Sequence, residues 1–220
     1  MYSELSLDAH DPHIVSDFWA RVLALQPHRQ DDGTILLVGL PANTPIWVRP
    51  AAPGRMTEYR IHLDLTEPEL STMLQHGGAV VDTESYPWIV LQGPEGSELC
   101  VHALSEPTET RHLELVVNSV DPGRSARWWG RILGCPCETS AAGDYAWVSD
   151  IPHSPFEALV FTRIDAPRTC DPRLRLGIAA RDISRLTDAG AKLLHVARDR
   201  PARYLMADPD GHEFYLAIRD

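Results

Sequence analysis

Apolar residues recur along the chain with two different periods, and the longer period marks helices. Ile14, Phe18, Val22 and Leu25 are spaced three or four residues apart, which predicts an apolar stripe on an amphipathic helix. Asp11-Pro12 directly precedes this stripe. Aspartate caps the free N–H groups of a first turn, and proline fits the first helical position. The pattern therefore predicts that a helix begins at about Pro12.

The same pattern recurs 110 positions later in the sequence. Asp121-Pro122 repeats Asp11-Pro12, and Trp129 repeats Trp19. Gly134 directly follows the second apolar stripe and predicts the end of that helix. In both copies a short alternating strand precedes the helix and further strands follow it. The two halves of the chain are therefore predicted to share one architecture.

Each half also contains a second, looser copy of this plan. A strand with alternating faces comes first, then a helix that ends at glycine, then a hairpin with a tight turn. These segments are residues 59–65, 67–80 and 88–102 in the first half, and 174–180, 181–194 and 203–217 in the second. Internal repetition of this kind predicts four βαβββ units of about 50 residues each.

Particular motifs within these units resemble a known superfamily. They are the strand-Asp-Pro-helix openings at Glu4–Leu23 and Glu114–Gly134, HLDL at His62–Leu65, and the hairpins GPEGSELCV and DPDGHEFYL. Together they are similar to the glyoxalase/bleomycin-resistance/extradiol-dioxygenase superfamily, also called the vicinal oxygen chelate family. The resemblance covers nearly the whole chain.

The resemblance implies an α+β fold of two tandem glyoxalase-like domains. In each domain, paired βαβββ units would form a cupped mixed sheet with helices on its outer face, and small molecules would bind inside the cup. We expect domain 1 at residues 1–107 and domain 2 at residues 108–220, with a linker at Ser105–Thr110. The sequence leaves open which units pair into each cup.

Charge and composition narrow the range of partners. The net charge is −11, and residues 1–107 hold five arginines against 15 acidic residues. This acidity argues against nucleic acid and favours a cationic ligand. No apolar run approaches the roughly 20 residues of a membrane span, and the N-terminus lacks a signal-peptide pattern. We expect a cytoplasmic, bacterial-type protein with four reduced cysteines, a small-molecule ligand or substrate and no membrane partner, and we leave a homodimer open.

The resemblance also implies positions for metal ligands. In domain 1 these positions hold Glu4, His62 and Cys100, which are legitimate ligands for zinc, iron, manganese or nickel. Glu98 shares a strand face with Cys100 and is an alternative third ligand. If units are exchanged between domains, Glu114 would meet His62 and Cys100 instead. The opposite interpretation is a hydrogen-bonded His62 and a Cys100 buried in the core, with no metal.

The corresponding positions in domain 2 hold Glu114, Arg175 and Tyr215. An arginine keeps its proton and repels a cation, so no metal is expected there. Glu114 and Arg175 instead predict an internal ion pair, or a pair that binds a polar group of a ligand.

Other candidate binding residues lie on predicted strands. Asp64 shares a face with His62 and either orients that imidazole or faces solvent. Trp47, Trp88 and Trp147 are placed to line a cup and stack on a planar ligand. Tyr86 and Tyr145 each stand two residues before one of these tryptophans, and so mark the rims of the cups. The helical residues Trp19, Trp128 and Trp129 are predicted to pack against the outer faces of the sheets.

Two functions are compatible with these residues. The first is binding of a small molecule without a catalytic metal or other cofactor, as in bleomycin-resistance proteins. The alternative is a divalent-metal-dependent lyase or dioxygenase that uses the site in domain 1, where an ion would polarise substrate oxygens. The family usually carries glutamate at the position of Cys100. The cysteine found there therefore favours the binding protein.

Overall fold

Four units of the same design make up the fold, in a computed structural model that describes residues 2–39, 45–51, 61–66, 70–102, 113–166, 172–197 and 203–219. The first unit comprises β1 (Tyr2–Ala9), α1 (Pro12–Val22), β2 (Gln26–Arg29), β3 (Ile35–Val38) and β4 (Ile46–Pro50). The second comprises β5 (Ile61–Thr66), α2 (Leu70–Gln75), β6 (Ala79–Asp82), β7 (Ile89–Gln92) and β8 (Glu98–His102), with a 3₁₀ turn at Pro94–Gly96.

The second half of the chain repeats this order. The third unit comprises β9 (Leu113–Ser119), α3 (Pro122–Leu133), β10 (Cys137–Thr139), β11 (Tyr145–Ser149) and β12 (Ala158–Arg163). The fourth comprises β13 (Leu174–Ala180), α4 (Ser184–Asp188), β14 (Lys192–Ala197), β15 (Arg203–Ala207) and β16 (Glu213–Ile218). The four βαβββ units predicted from the sequence are confirmed.

Helices α1 and α3 begin as their sequences predict. The Asp11 carboxylate accepts hydrogen bonds from the backbone N–H groups of His13 (2.9 Å) and Ile14 (3.2 Å). Asp121 accepts one from Arg124 N at 3.0 Å. Gly134 ends α3 with a φ of 73°, a left-handed conformation in which glycine carries no steric cost.

Two local expectations are wrong. Ile14 is 56% exposed and the neighbouring Val15 is buried in its place, whereas Phe18, Val22 and Leu25 are buried as predicted, so only the first position of the apolar stripe differs. The helix expected over residues 181–194 is limited to Ser184–Asp188, because Gly190 reverses the chain at a φ of +96° and β14 begins two residues later.

The two eight-stranded sheets combine units from opposite halves of the chain. The first sheet has the order β14-β15-β16-β13-β1-β4-β3-β2, and the second has the order β10-β11-β12-β9-β5-β8-β7-β6. Antiparallel pairing of β1 with β13 and of β5 with β9 joins the halves. The first unit therefore pairs with the fourth, and the second with the third, which settles what the sequence left open. The domain boundary at residues 107 and 108 stays a prediction, and the expected linker lies outside the described residues.

Alternation along the strands separates a buried face from a cupped face. In the first sheet Leu5 and Leu7 are buried, and in the second Leu63 and Leu115 are buried. These residues join one hydrophobic core with the helices, to which Trp19, Trp128 and Trp129 also belong. The three helical tryptophans are thus core residues, as expected. The intervening polar residues lie on the opposite face of each sheet.

Equivalent tight turns connect the two sheets through the helices. Glu95, in the turn between β7 and β8 of the second sheet, accepts hydrogen bonds from the backbone N–H groups of Asp11 (2.6 Å) and His10 (2.9 Å). Asp210 occupies the same place in the turn between β15 and β16, and it accepts a hydrogen bond from Ser125 of α3 at 2.7 Å. In each half, an acidic turn residue thus holds the start of the helix that belongs to the other sheet.

Candidate functional site

The face of the second sheet opposite the core, which we call the second cup, carries two adjacent rows of side chains. Strand register sets His62 opposite Val116, Val116 beside Val160 and Val160 beside Trp147. The next row, one step along the strands, consists of Cys100, Asp64, Glu114 and Ala158. Polar groups therefore stand on β5, β8 and β9, next to an apolar floor on β9, β12 and β11.

Asp64 is the centre of the polar half of the second cup. Its Oδ2 accepts a hydrogen bond from His102 Nε2 at 3.1 Å. His62 Nε2 lies 3.3 Å from Oδ1 without forming a hydrogen bond, so buried Oδ1 has no hydrogen-bond partner among the described residues. A buried carboxylate oxygen without a hydrogen bond lowers the stability of the folded protein. A bound hydrogen-bond donor or cation would restore that stability.

The contacts around Asp64 shift the pKa values of three side chains in the second cup. Burial acts to raise the pKa of Asp64, but the hydrogen bond from His102 and the proximity of His62 outweigh it and lower that pKa. The same hydrogen bond raises the pKa of His102, and the charge of Glu114 adds to the effect. Burial and the charges of Asp64 and Glu98 raise the pKa of Cys100 well above its usual range, so its thiol is protonated.

Aromatic pairs flank the second cup, one in the bend before β7 and one on β11, so Trp88 lies next to a strand and not on it as predicted. Tyr86 stacks on Trp88 with ring centroids 5.1 Å apart, and Trp88 lies 5.0 Å from the His102 ring. On β11, Tyr145 stacks on Trp147 at 5.7 Å. Both tyrosines are exposed, at 51% and 45% respectively, so an aromatic ring is accessible at each rim.

The corresponding face of the first sheet, the first cup, is filled by its own ion pairs. Arg175 stands where the second cup has His62, and its side chain is only 1% exposed. Its Nη1 lies 2.6 Å from Asp8 and its Nε lies 2.8 Å from Glu213. Burial would lower the pKa of Arg175, but the charges of Asp8 and Glu213 raise it. A guanidinium held by two carboxylates leaves no place for a cation there.

A second ion pair completes the first cup. Arg203 Nη1 lies 2.9 Å from Glu4 Oε1, and its guanidinium carbon is 5.1 Å from the centre of the Tyr215 ring. Arg49 donates to Ser6 at 3.1 Å and lies over the Trp47 ring at 5.0 Å. The charged side chains described in this cup are therefore paired with one another or with its serine and aromatic rings.

The residues predicted from the sequence divide between the cups. The second cup contains His62, Asp64, Trp88, Cys100, Glu114 and Trp147, and the first contains Glu4, Trp47, Arg175 and Tyr215. Glu98 is exposed and lines a small cavity together with His62.

Two predicted combinations are not formed, for one physical reason. Glu4 does not meet His62 and Cys100, because the first unit pairs with the fourth. The units are exchanged as in the alternative prediction, so Glu114 lies opposite Asp64 in the row of Cys100, and Asp64 joins His62 and Cys100. Likewise Glu114 does not pair with Arg175, since β9 and β13 belong to different sheets. In each case the residue lies on the predicted strand, but the partner strand differs.

Some residues of the cups were missed in the sequence. Asp8 and Glu213 are the partners of Arg175, and Val116 and Val160 form the apolar floor. Asp8 shares the strand face of Glu4 and Glu213 that of Tyr215, so alternation provided a signal for both. Their partnership depended on the pairing of β1, β13 and β16, which no local pattern specifies.

Comparison with known proteins places the chain in a family. Tandem βαβββ units in two cupped sheets define the class of protein, and the sequence matches the glyoxalase-like domain family twice, over residues 4–102 and 114–217. The chain therefore belongs to the glyoxalase-like domain family, and the resemblance drawn from its motifs is confirmed. No curated protein matches the chain.

Solved structures show the same fold at low sequence identity. A glyoxalase I mutant from Zea mays has a TM-score of 0.65 at 13% identity, over 99% of this chain and 92% of that one. A putative dioxygenase from Bacillus subtilis has a TM-score of 0.64 at 16% identity, over 99% and 84%. The cppA protein from Streptococcus pneumoniae has a TM-score of 0.50 at 11% identity and covers both chains fully. In the part of the chain that is described, no helix is long and apolar enough to cross a membrane.

Proposed function

We propose that the protein binds a small molecule in the second cup. The observation that carries this proposal is the contrast between the cups: the first is filled by mutual ion pairs, whereas the second leaves Asp64 Oδ1 buried and without a hydrogen bond among the described residues. A ligand that donates a hydrogen bond or carries positive charge satisfies this oxygen. No carboxylate oxygen among the described residues of the first cup is in this state.

The chemistry of the second cup favours a planar ligand with a cationic or strongly donating group. Asp64 and Glu114 face each other across β5 and β9, which makes the polar half acidic. Trp147 lies in the row of His62, with Val116 and Val160 between them. A ring placed on this apolar floor brings a cationic substituent toward the two carboxylates.

A ligand screen tests this proposal. Aromatic amines are expected to raise the melting temperature and to quench tryptophan fluorescence, and their uncharged ring analogues are expected to do neither. Trp147→Ala is expected to raise the Kd about tenfold, because the stacking of a planar ligand on an aromatic side chain contributes about 1 to 3 kcal/mol. Trp47→Ala, in the first cup, is the matched control and should leave the Kd unchanged. Equal effects of the two variants, or no stabilising amine, would exclude binding in the second cup.

A second candidate function is a metal-dependent enzyme, and a separate observation favours it. The ligand atoms of His62, Asp64 and Cys100 lie within 4.8 Å of one another. Atoms that share one ion at bonds of about 2.1 Å are about 3.0 to 3.4 Å apart, which the 3.3 Å between His62 and Asp64 matches. Imidazole, carboxylate and thiolate suit zinc, and Asp64 Oδ1, which has no hydrogen bond from any described residue, fits a bound cation. These residues therefore fit a divalent ion.

In this second function, each residue of the cluster has a distinct task. His62, Asp64 and Cys100 would hold the ion, and Cys100 would lose its proton on binding, so that metal uptake releases protons. His102 donates to Asp64 Oδ2 and thereby fixes the orientation of the carboxylate. A bound divalent ion supplies Lewis acidity that polarises substrate oxygens.

The metal content of protein purified without a histidine tag or chelator tests this second function. A metalloenzyme is expected to carry about one equivalent of zinc, iron, manganese or nickel, and His62→Ala and Asp64→Asn are expected to lose it. His195→Ala removes an exposed histidine on β14 and should leave the metal content unchanged. Absence of metal from the wild type, even after incubation with divalent ions, would exclude the enzyme and leave the metal-free binding protein.

A further inference from the structure

A groove on the outer surface, outside both cups, is lined largely by arginines. It has a volume of about 620 Å³ and lies between α3, the chain after α4 and the turn between β15 and β16. Its lining consists of Arg124, Arg127 and Arg131 together with Trp128, Ala189, Pro209 and Asp210. This volume is in the range of known small-molecule sites.

The arginines share one face of α3 because they are spaced three and four residues apart. All three are exposed. The equivalent positions on α1, 110 residues earlier, hold Ile14, Asp17 and Arg21. There Arg21 Nε lies 3.2 Å from Asp17, so the charge on that helix is compensated. The accumulation of positive charge is therefore particular to α3.

Two of the three guanidinium groups remain available for a ligand. Arg124 forms an ion pair with Asp210, whose other oxygen accepts a hydrogen bond from Ser125. The side chains of Arg127 and Arg131 make no hydrogen bond or ion pair with any residue that the structure describes. The groove thus has a net charge of +2 on a chain whose total is −11.

The remaining walls of the groove are rigid and apolar. Trp128 is 6% exposed, and its Nε1 donates to the backbone oxygen of Ala189 at 2.8 Å, which fixes the ring against α4. Pro209 forms the wall on the side of the turn. The groove therefore offers an apolar surface, formed mainly by Pro209 and Ala189, next to Arg127 and Arg131.

We propose that this groove binds a small molecule that carries a phosphate group. A guanidinium presents parallel N–H donors that match two phosphate oxygens, and two such groups one helical turn apart fit a dianion. The site is separate from the second cup and does not depend on whether that cup holds a metal.

Titration calorimetry with inorganic pyrophosphate, on protein dialysed against a chelator, tests the proposal. Wild-type protein is expected to bind pyrophosphate, and the double variant Arg127→Gln/Arg131→Gln to bind at least tenfold more weakly, because two charge-assisted contacts are lost. Arg21→Gln removes the equivalent arginine of α1 and should leave the Kd within twofold of the wild type. His62→Ala should bind pyrophosphate normally, which separates this site from the second cup.

Three results would overturn the proposal. The first is no pyrophosphate binding beyond that of chloride at equal ionic strength. The second is an unchanged Kd in Arg127→Gln/Arg131→Gln. The third is a short single-stranded DNA that binds at least tenfold more tightly than pyrophosphate with the same dependence on both arginines, which would identify the groove as a nucleic-acid surface.

Discussion

Arg175 and His62 occupy equivalent positions in the two sheets, and their side chains produce two different kinds of cup. The guanidinium of Arg175 is always charged, so its burial at 1% exposure requires carboxylates on both sides. His62 Nε2 lies 3.3 Å from Asp64 Oδ1 and leaves that oxygen without a hydrogen bond within the described residues. The two cups also differ at neighbouring equivalent positions, where Asp64 and Cys100 of the second cup correspond to Gly177 and Tyr215 of the first.

Arg175→Met is expected to destabilise the protein strongly. The change leaves Asp8 and Glu213 partly buried without their shared cation, and the loss of one partner of a buried ion pair costs about 3 to 5 kcal/mol. Urea unfolding measures this cost as a fall in the free energy of unfolding. Arg29→Met, at an exposed position on β2, is the control. The triple variant Asp8→Asn/Arg175→Met/Glu213→Gln should regain part of the loss; equal stability of Arg175→Met and Arg29→Met would contradict this account.

At the residue scale, the sequence predicts which side chains share a strand face but not which of them meet. The period of two correctly placed Asp64 beside His62 and Glu98 beside Cys100 on their strands. The family resemblance implies Glu4 or Glu114 as the partner of His62, and only the strand pairing shows that Glu114 lies in the same sheet. Contacts between strands depend on long-range pairing, which local patterns do not encode.

Among the elements, the tight turns have a larger structural role than their length suggests. Glu95 satisfies two backbone N–H groups at the start of α1 and lies 2.6 Å from Arg173 Nη1. Burial acts to raise the pKa of Glu95, but the hydrogen bonds from Asp11 and His10 and the charge of Arg173 outweigh it and lower that pKa. The turn therefore stabilises the fold through an ionised carboxylate.

Glu95→Gln is expected to lower the free energy of unfolding by about 1 to 3 kcal/mol at pH 7, since hydrogen bonds to a charged acceptor are lost. Because the pKa of Glu95 is lowered in the folded state, the wild type exceeds Glu95→Gln in free energy of unfolding by the full amount above the unfolded-state pKa of about 4.3. This difference is lost as the pH falls through the folded-state pKa. Urea unfolding at pH 7 and below pH 4 checks this. Glu84→Gln, at an exposed position, is the control; an advantage that grows on acidification would contradict the prediction.

Helix boundaries could be predicted where capping residues define them, and not elsewhere. Asp11 and Asp121 fixed the starts of α1 and α3, and Gly134 fixed the end of α3. The repeated plan of the units predicts a helical segment that continues past Gly190 to Leu194. In the structure Leu193 and Leu194 lie exposed on the edge strand β14, where pairing with β15 overrides the local preference.

At the scale of the whole molecule, neither half of the chain contains a complete sheet. Within residues 1–107, β1 and β5 each lack the antiparallel neighbour that β13 or β9 provides. Unpaired central strands expose open backbone N–H and C=O groups. The halves are therefore interdependent, even though each one matches the family separately.

Residues 1–107 expressed alone are expected not to form a stable monomer. They should aggregate or associate with a second copy, and co-expression with residues 108–220 should restore a soluble one-to-one complex. Size-exclusion chromatography with light scattering distinguishes these outcomes. A monomeric, cooperatively unfolding fragment 1–107 would contradict the interdependence and would support independent domains at the predicted boundary.

The number and order of the units could be predicted from the sequence, whereas their pairing could not. The repeated Asp-Pro openings and the two closing hairpins are local signals, so all four units were identified. Each unit begins with a similar strand. The observed pairing brings together groups from both halves of the chain, such as Glu95 with Arg173 and Asp8 with Arg175, which no local pattern specifies.

Each sheet contains strands from both halves of the chain, and this arrangement affects how the sequences of the two cups can diverge. Two identical chains that exchanged strands in this way would form a twofold-symmetric dimer, in which every substitution appears in both sites at once. Covalent linkage of the halves removes that symmetry constraint. Each cup can then carry its own side chains, as it does here with Arg175 in the first and His62 in the second. A single chain thus permits one cup to be filled by ion pairs while the other is not.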